Sequence, residues 1–467
     1  MARETAPRPG RGAARGAARR GRAAHATAGE RRGVTKAILR FNGRAFVSVK
    51  KHRNYRLFFL GQTVSLPGTW IQRFAQAWLV YSLTHHSALA VGLLAFAQFL
   101  PFTLFSLFAG VVVDRFDPRR TVINTQATAM LLASTVAAIT LAGVVRPWHV
   151  YVIAFLGGLV QVLDAPSRQQ LTYRMVGRAE LQNAVALNSS VFNASRIYGP
   201  ALAGILIAAF GAGICFTINA VSFLAVLAGL LMMRPQEFYP VEASTRPTMM
   251  RGAREGIAFA LQSREIFLVL VLVLIVSTFC LNYNVLLPVL AKQTLHAGPR
   301  TFGALSAAFG AGALVGGLLA AAQGRARRSL MLLGAMGFGA SELLLGPAGS
   351  VWLACVLLFA GGVSFTTWSS NANSIVQLAA PDHLRGRVIG LYFFAFAGTG
   401  SLGGLISGWL VHVGGTRLAF FVAGIAAMSS ALVVGRLMRA PTAPVGAEAA
   451  GERLSPQAAQ VGGAARR

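Results

Sequence analysis

The sequence predicts an all-α polytopic membrane protein, with twelve transmembrane helices in two six-helix pseudo-symmetric halves. Two observations predict the membrane class, and an internal repeat predicts the two halves. Hydrophobic residues make up 55% of the 467-residue chain and charged residues only 12%, whereas soluble proteins are about one quarter charged. The hydrophobic residues also form long blocks, and about 20 helical residues cross a hydrocarbon core of about 30 Å.

Twelve such blocks follow one another, separated by short polar joints. A series of this length is typical of a membrane bundle and not of the core helices of a soluble protein. We number the predicted spans 1 to 12 and place them at about 57–83, 88–113, 121–144, 149–172, 184–209, 213–233, 265–290, 301–323, 329–347, 351–378, 386–412 and 416–437.

Basic residues indicate the orientation, because lysine and arginine are retained on the cytoplasmic side of a membrane. The joints after even-numbered spans carry two to five arginines each. The joints after odd-numbered spans carry only Arg146, Lys292, Arg300 and Arg417. We therefore expect a multi-pass protein of the cell (inner or plasma) membrane with both termini cytoplasmic.

The first 52 residues are rich in arginine, alanine and glycine and nearly free of acids. Such a segment buries too little apolar surface to fold, which predicts a disordered basic tail. Contact with anionic lipid headgroups is favoured over a nucleic-acid arm, and a transit peptide shares the same composition. Residues 438–467 are predicted to be a second disordered cytoplasmic tail.

Part of the chain repeats. Residues 155–184 and 359–388 share an opening F-x-G-G and a polar second half, and Gly204 matches Gly408 at nearly the same offset. Spans 4 and 5 then correspond to spans 10 and 11, as in transporters built from parallel repeats. This predicts an N-terminal half at 53–233, a cytoplasmic linker at 234–264 and a C-terminal half at 265–437.

Enzyme motifs are missing from the sequence. None of the four lysines follows a glycine, so the chain has no phosphate-binding G-x-x-x-x-G-K-[ST] loop. The three cysteines form no C-x-x-C pair, and neither H-E-x-x-H nor G-x-S-x-G occurs. We expect no enzymatic activity, no cofactor and no metal.

The joint after span 2 reads "GVVVDRFDPRR". It resembles the major facilitator superfamily signature G-x-x-x-D-R-x-G-R-R, with matches at Gly110, Asp114, Arg115 and Arg119. Asp117 replaces the second glycine of the signature. "RIYGPALAG" in span 5 resembles the antiporter motif of exporters. "GTWIQRFAQAWLVYSLT" and the stretch from "LDAPSRQQL" to "RIYGPALAG" are similar to the enterobactin exporter and bacterial drug efflux proteins, the transmembrane secretion effectors.

The resemblance covers about residues 53–437 and implies the major facilitator fold and transport. It also implies that Gly110, Asp114, Arg115 and Arg119 form a latch that holds the two halves together on the cytoplasmic side. Asp114 would contact the start of span 11 near Gly386, where a helix N-terminus attracts a carboxylate. A solvated, positively charged joint is the alternative.

Span 1 carries polar residues on one face, and they include a full positive charge. Such a stripe is costly in lipid but not beside a wet cavity, so it predicts the transport pathway. Similar stripes occur in spans 4, 5, 7 and 10, and helix-to-helix contacts are the alternative for each residue. The predicted substrate and cavity residues are Gln62, Thr69, Gln72, Arg73, Gln76, Gln161, Asn193, Arg196, Asn284, Thr366, Ser370, Asn373 and Gln377.

Two carboxylates lie well inside the spans. Both are candidates for proton coupling, and Asp164 in span 4 is the stronger one; a structural ion pair with Arg168 or Arg196 is the alternative for it. Glu342 lies near the outer end of span 9, and contact with the headgroups is the alternative for it.

These features predict a secondary active transporter, an exporter of a small amphipathic organic molecule by alternating access with proton antiport. Arg73 and Arg196 favour acidic or oxygen-rich substrates such as a siderophore or another secreted metabolite, and an uncharged macrolide also fits. The expected partners are this substrate and membrane lipids, with no nucleic acid, and we expect a monomer. A non-transporting receptor or scaffold and a lipid flippase are the alternatives.

Overall fold

The computed structural model describes residues 46–113, 116–240, 249–323, 326–381 and 384–439, and the regular secondary structure in these ranges is helical. The long helices are Arg53–Leu83, Ala88–Val113, Pro118–Leu141, Pro147–Phe210, Ala212–Leu231, Arg264–Cys280, Pro299–Gln323, Arg328–Leu345, Val351–Ala379 and Gly400–Arg439. The shorter ones are Val47–Lys51, Pro235–Glu237, Met249–Gln262, Tyr283–Val289, Leu290–Thr294, Arg385–Phe393 and Phe394–Gly398.

Two of the long helical stretches each contain two spans. Pro147–Phe210 breaks at Gly177, where φ is 68°, and the stretch Arg385–Arg439 breaks at Gly415, where φ is 71°. Glycine adopts this left-handed conformation without a steric penalty. In the described ranges, nine stretches are long and apolar enough to cross a membrane. Two of the nine stretches contain two spans each, which makes eleven spans, and the more polar helix Arg53–Leu83 is the twelfth. This is consistent with the twelve predicted spans.

Each set of six spans forms its own bundle. Span 1 packs against spans 5 and 6, and span 4 packs against spans 2 and 3; span 10 packs against spans 8 and 9, and span 12 against span 9. Between the bundles, span 2 packs against span 11 and span 5 against span 8. An even number of spans places Val47–Lys51 and Arg439 on the same side, which we call the terminal side; the opposite side is the far side.

Glycines bring the bundles together toward the far side. A Cβ atom on Gly204 would lie 2.6 Å from the Pro299 carbonyl oxygen, and one on Gly408 would lie 2.9 Å from the Ala88 carbonyl oxygen. Only glycine permits backbones to approach this closely. Gly204 and Gly408, which the sequence repeat pairs, therefore make equivalent contacts on the two sides of the interface.

The structure shows how span 1 accommodates Pro67 and Gly68, two residues that are unusual in the middle of a helix. Helix Arg53–Leu83 continues through Pro67. A Cβ atom on Gly68 would lie 2.6 Å from the Ser222 hydroxyl oxygen and 2.8 Å from the Asn219 side-chain oxygen. Gly68 therefore allows span 6 to lie directly against span 1.

The end of the predicted N-terminal tail differs from the expectation of disorder. Residues 1–45 and 440–467 lie outside the described ranges, but Val47–Lys51 is helical. The buried Ser48 hydroxyl donates a hydrogen bond of 3.2 Å to the Glu180 carbonyl oxygen, and Lys51 pairs with the Glu180 carboxylate. These contacts fix the segment on the joint between spans 4 and 5.

Candidate functional site: a polar cavity of the N-terminal half

A cavity of about 1120 Å³ lies among spans 1 to 6, with Ala397 of span 11 as the contribution of the C-terminal half to its lining. It extends from Gln76 toward Phe58 and Leu181, near the terminal-side ends of spans 1 and 5. The predicted residues that line it are Gln62, Thr69, Gln72, Arg73, Gln76, Gln161, Asp164 and Asn193. Because the closest glycine contacts between the bundles lie toward the far side, the cavity faces the terminal side.

Asp164 is 3% exposed and lies at the centre of a hydrogen-bond network. One carboxylate oxygen accepts hydrogen bonds from the Thr125 hydroxyl at 2.7 Å and the Gln126 amide at 2.9 Å. The other pairs with Arg168, whose guanidinium also donates to Gln62. The network joins spans 1, 3 and 4. A buried carboxylate with a cation and two further donors is well stabilised as the anion.

Arg73 gives the cavity a positive charge. Its guanidinium carbon lies 5.4 Å from the centre of the Trp70 ring, a favourable cation–π contact. Among the described residues, no carboxylate pairs with Arg73. The cavity can therefore accept an anionic or oxygen-rich group at this point.

Side-chain amides and aromatic rings form much of the remaining surface. Gln72 accepts a hydrogen bond of 2.7 Å from the Asn219 amide, and the Asn193 amide donates to the Ser189 carbonyl oxygen at 2.8 Å. The lining also contains Gln98, Gln169, Phe99, Phe102, Phe192 and Tyr173. Such a surface combines apolar contact with many hydrogen-bonding groups, as in sites for amphipathic small molecules.

Six predicted cavity residues do not line this cavity: Arg196, Asn284, Thr366, Ser370, Asn373 and Gln377. The Thr366 hydroxyl donates a hydrogen bond of 2.9 Å to the Ala313 carbonyl oxygen of span 8, so it makes a helix-to-helix contact instead. Gln377 donates to Asn373 on its own helix. Asn284 follows the helix break after Cys280.

The suggested pair between Asp164 and Arg196 is wrong, because Arg168 occupies the carboxylate. The Arg196 guanidinium carbon lies 5.4 Å from the Phe309 ring and 5.0 Å from the Phe365 ring. Arg196 of the N-terminal bundle therefore contacts aromatic side chains of the C-terminal bundle.

The alternative for Glu342, contact with the headgroups, is also wrong. The residue is 0% exposed. Phe338, one helical turn earlier, packs edge-on against Tyr283 with ring centres 6.2 Å apart. Residues four apart share a face of a helix, so this face of span 9 points into the C-terminal bundle.

Half of the predicted latch lies outside the described residues. Asp114 and Arg115 lie outside the described residues, and Gly110 lies in helix Ala88–Val113. Arg119 donates to the carbonyl oxygens of Leu230 and Leu231 at 3.0 and 3.1 Å. In this conformation Arg119 therefore caps the end of span 6 in its own half. The role of these residues as a latch stays a prediction.

Asp117, which departs from the superfamily signature, caps the start of span 3. Its carboxylate accepts a hydrogen bond of 3.0 Å from the Arg120 backbone N–H and pairs with Arg174 at 2.7 Å. Burial raises the pKa of Asp117, but these hydrogen bonds and the Arg174 charge outweigh it, so the pKa lies below its usual value.

Sequence reasoning missed the span 3 contribution to the site. Thr125 and Gln126 are buried polar residues at 6% and 2% exposure, and both bind Asp164. An amide in a membrane span was an available signal, because such residues usually face a partner. Their partner became evident only from the packing of span 3 against span 4.

The two bundles and the polar cavity define a secondary transporter of the major facilitator type. The chain belongs to the transmembrane secretion effector family, and the sequence model of this family matches residues 46–461. It is 30% identical over 382 residues to the uncharacterized MFS-type transporter YfiS of Bacillus subtilis (strain 168), covering 78% of this chain and 88% of that protein.

Two further relatives have more specific names. The staphyloferrin A transporter of Staphylococcus aureus (strain NCTC 8325 / PS 47) is 25% identical, with coverage of 81% of this chain and 94% of that protein. Macrolide efflux protein A of Streptococcus pyogenes is 22% identical, with coverage of 73% and 86%. The crystal structure of the nucleoside transporter NupG shares the fold, with a TM-score of 0.66, 11% identity and coverage of 83% of this chain and 99% of that chain.

Proposed function

We propose that the chain exports a small amphipathic organic molecule by alternating access, in exchange for protons. The observation that carries this proposal is the cavity of about 1120 Å³, which contains many amide groups and Arg73, a cation that no described carboxylate pairs with. The cavity lies in one of two similar bundles that approach each other closely toward the far side, and rocking of the two bundles would open it to that side instead.

The lining favours a substrate with acidic or electron-rich oxygens. Arg73 would bind a carboxylate or a carbonyl oxygen, the amides would bind hydroxyl groups, and Trp70 and Phe192 would contact apolar surface. A siderophore and a macrolide both have this chemistry. The names of the staphyloferrin A transporter and of macrolide efflux protein A support these two classes.

The orientation follows from the arginine-rich joints. We propose that the terminal side is cytoplasmic, that the protein lies in the plasma membrane as a monomer in contact with lipids, and that the described conformation is open to the cytoplasm. Export then begins with substrate entry from the cytoplasm into this cavity.

An efflux experiment in everted vesicles tests this function. Uptake of radiolabelled erythromycin and of staphyloferrin A is measured with and without an uncoupler of the proton gradient. We expect uptake of at least one substrate and its loss with the uncoupler. Uptake that is equal in vesicles without the protein would contradict transport and would favour a receptor or scaffold.

Arg73→Gln sharpens the choice of substrate. A hydrogen bond to a charged group contributes about 1.5–3 kcal/mol, so binding of an anionic substrate should weaken by about tenfold or more, while erythromycin should be little affected. Equilibrium binding to purified protein measures both affinities.

Gln98→Glu, which adds an opposite charge to the same cavity, should also weaken anion binding. Unchanged affinity in Arg73→Gln would remove Arg73 from the site.

A further inference from the structure

The described part of the C-terminal bundle contains a fully buried acid, Glu342. Glu342 is 0% exposed, and neither of its carboxyl oxygens makes a regular hydrogen bond within the described part of the chain. No described arginine or lysine forms an ion pair with it. Burying an ionised carboxylate without a cation costs much more free energy than burying the neutral carboxylic acid. Glu342 therefore carries a proton in this conformation.

Two groups of span 7 face Glu342. The Tyr283 hydroxyl and the Cys280 thiol are both within electrostatic range of the carboxyl group. The thiol donates to the Ala423 carbonyl oxygen of span 12 at 3.3 Å. On span 10, a Cβ atom at Gly361 would lie 2.6 Å from the Ser341 hydroxyl oxygen and 3.7 Å from the Tyr283 hydroxyl oxygen. The glycine thus lets Ser341, the neighbour of Glu342 in the chain, and Tyr283 approach span 10 at the same place.

Tyr283 connects Glu342 to the other bundle. Its ring centre lies 4.6 Å from that of Phe309, and Arg196 of span 5 lies over Phe309 and within electrostatic range of Tyr283. Arg196 of the N-terminal bundle is therefore in contact with an aromatic side chain that packs against Tyr283 across the interface between the bundles. A movement of span 5 against span 8 changes the distance between this cation and Glu342.

Asp164 differs in each of these respects. It has a cation, Arg168, and two neutral donors within its own bundle. Removing its charge would leave Arg168 without an anionic partner. Its surroundings are those of a structural ion pair.

We propose that Glu342 and Tyr283 form the proton-binding site of the transporter, with Arg196 as the partner of the deprotonated acid. This proposal rests on the proposed antiport. On release, the carboxyl O–H bond breaks, a water molecule takes the proton, and the resulting carboxylate is stabilised by Arg196. Reprotonation from water on the other side reverses the step. Whether Glu342 holds a proton therefore depends on the position of one bundle relative to the other.

Infrared difference spectroscopy tests the site without any substrate. The full chain in liposomes is titrated, and the carbonyl band of protonated carboxylic acids is followed. We expect a band at neutral pH that is lost in Glu342→Gln and kept in Glu265→Gln, a matched change at the exposed acid that pairs with Arg328. A band retained in full by Glu342→Gln, or missing from the wild type, would overturn the proposal.

Tyr283→Phe is a second variant, which tests the site even if Glu342→Gln does not fold. In the proposed site the Tyr283 hydroxyl donates a hydrogen bond to the carboxylate once the proton has left, so removal of the hydroxyl group should move the midpoint of the carboxyl band to higher pH. An unchanged midpoint would contradict the role of Tyr283.

Transport separates this site from the proposed function. In Glu342→Gln, counterflow of erythromycin should stay close to that of the wild type, while accumulation driven by a pH gradient should fall by about tenfold or more. If the wild type accumulates substrate with the gradient and Glu342→Gln does so equally, the site is wrong. If the wild type transports but ignores the gradient, antiport is wrong and Glu342 is not a coupling site, whatever the infrared band shows.

Discussion

The two bundles share one architecture but differ in where they place polar groups. The N-terminal bundle surrounds a cavity with amides, Arg73 and the network of Asp164, Arg168 and Gln62. The corresponding interior of the C-terminal bundle is filled by aromatic rings, among them Phe338 and Phe365, whose centres lie 5.8 Å apart. In the proposed transporter, recognition of the substrate is therefore concentrated in one half, while the described part of the other half has an aromatic core beside the buried acid Glu342.

Asp164→Ala should have the largest effect on this comparison. It leaves Arg168 without its anion, and breaking a buried pair from one side costs about 3–5 kcal/mol. We expect a strong fall in thermal stability, measured by the melting of purified protein in detergent, together with loss of transport. The double variant Asp164→Asn, Arg168→Gln removes both charges and should recover part of the stability. Equal melting of Asp164→Ala and the wild type would show that the network is not structural.

Gly204→Val tests the contact that the two bundles share. Its side chain would collide with the Pro299 carbonyl oxygen, since even a Cβ atom would lie 2.6 Å away. Overpacking of this kind costs about 1–3 kcal/mol, so closure on the far side should weaken and erythromycin transport should fall.

Gly390→Val is the matched control, because a Cβ atom there meets no neighbour within 4 Å. Transport by Gly390→Val should be close to that of the wild type. Equal activity of the two valine variants would contradict the closure of the bundles at Gly204.

The polar residues predicted on one face of span 1 do line the cavity, because a helix of known period fixes which residues share a face; their role in transport stays a prediction. The sequence also identified Gly204 and Gly408 as equivalent residues. It could not give the rotation of span 9 about its axis, so contact of Glu342 with the headgroups stayed an alternative although the residue faces the core. It could not choose between Arg168 and Arg196 as the partner of Asp164, because that choice depends on how spans 4 and 5 pack.

The smallest effect is expected at the start of span 3. Arg120 and Arg174 hold the pKa of Asp117 below its usual value. The Asp117 charge therefore stabilises the fold at pH values above the usual carboxyl pKa, and this contribution is lost as the pH falls through the lowered pKa. The corresponding helix of the C-terminal bundle, Arg328–Leu345, has no side-chain capping hydrogen bond at Arg327.

Asp117→Asn keeps a capping side chain but removes the charge. Melting temperatures of the wild type and this variant should differ slightly near neutral pH and converge on acidification. A difference that stays constant down to about pH 3 would contradict the role of the charge.

The central claim is that the polar cavity opens to each side of the membrane in turn, and cysteine labelling at Gln161 measures this directly. Gln161 is exposed and lines the cavity, and Cys215, Cys280 and Cys355 are first replaced by serine. A membrane-impermeant thiol reagent is then applied to everted and to right-side-out vesicles that contain Gln161→Cys. We predict labelling from both sides, at rates that substrate shifts in opposite directions. Labelling from one side only, unaffected by substrate, would contradict alternating access.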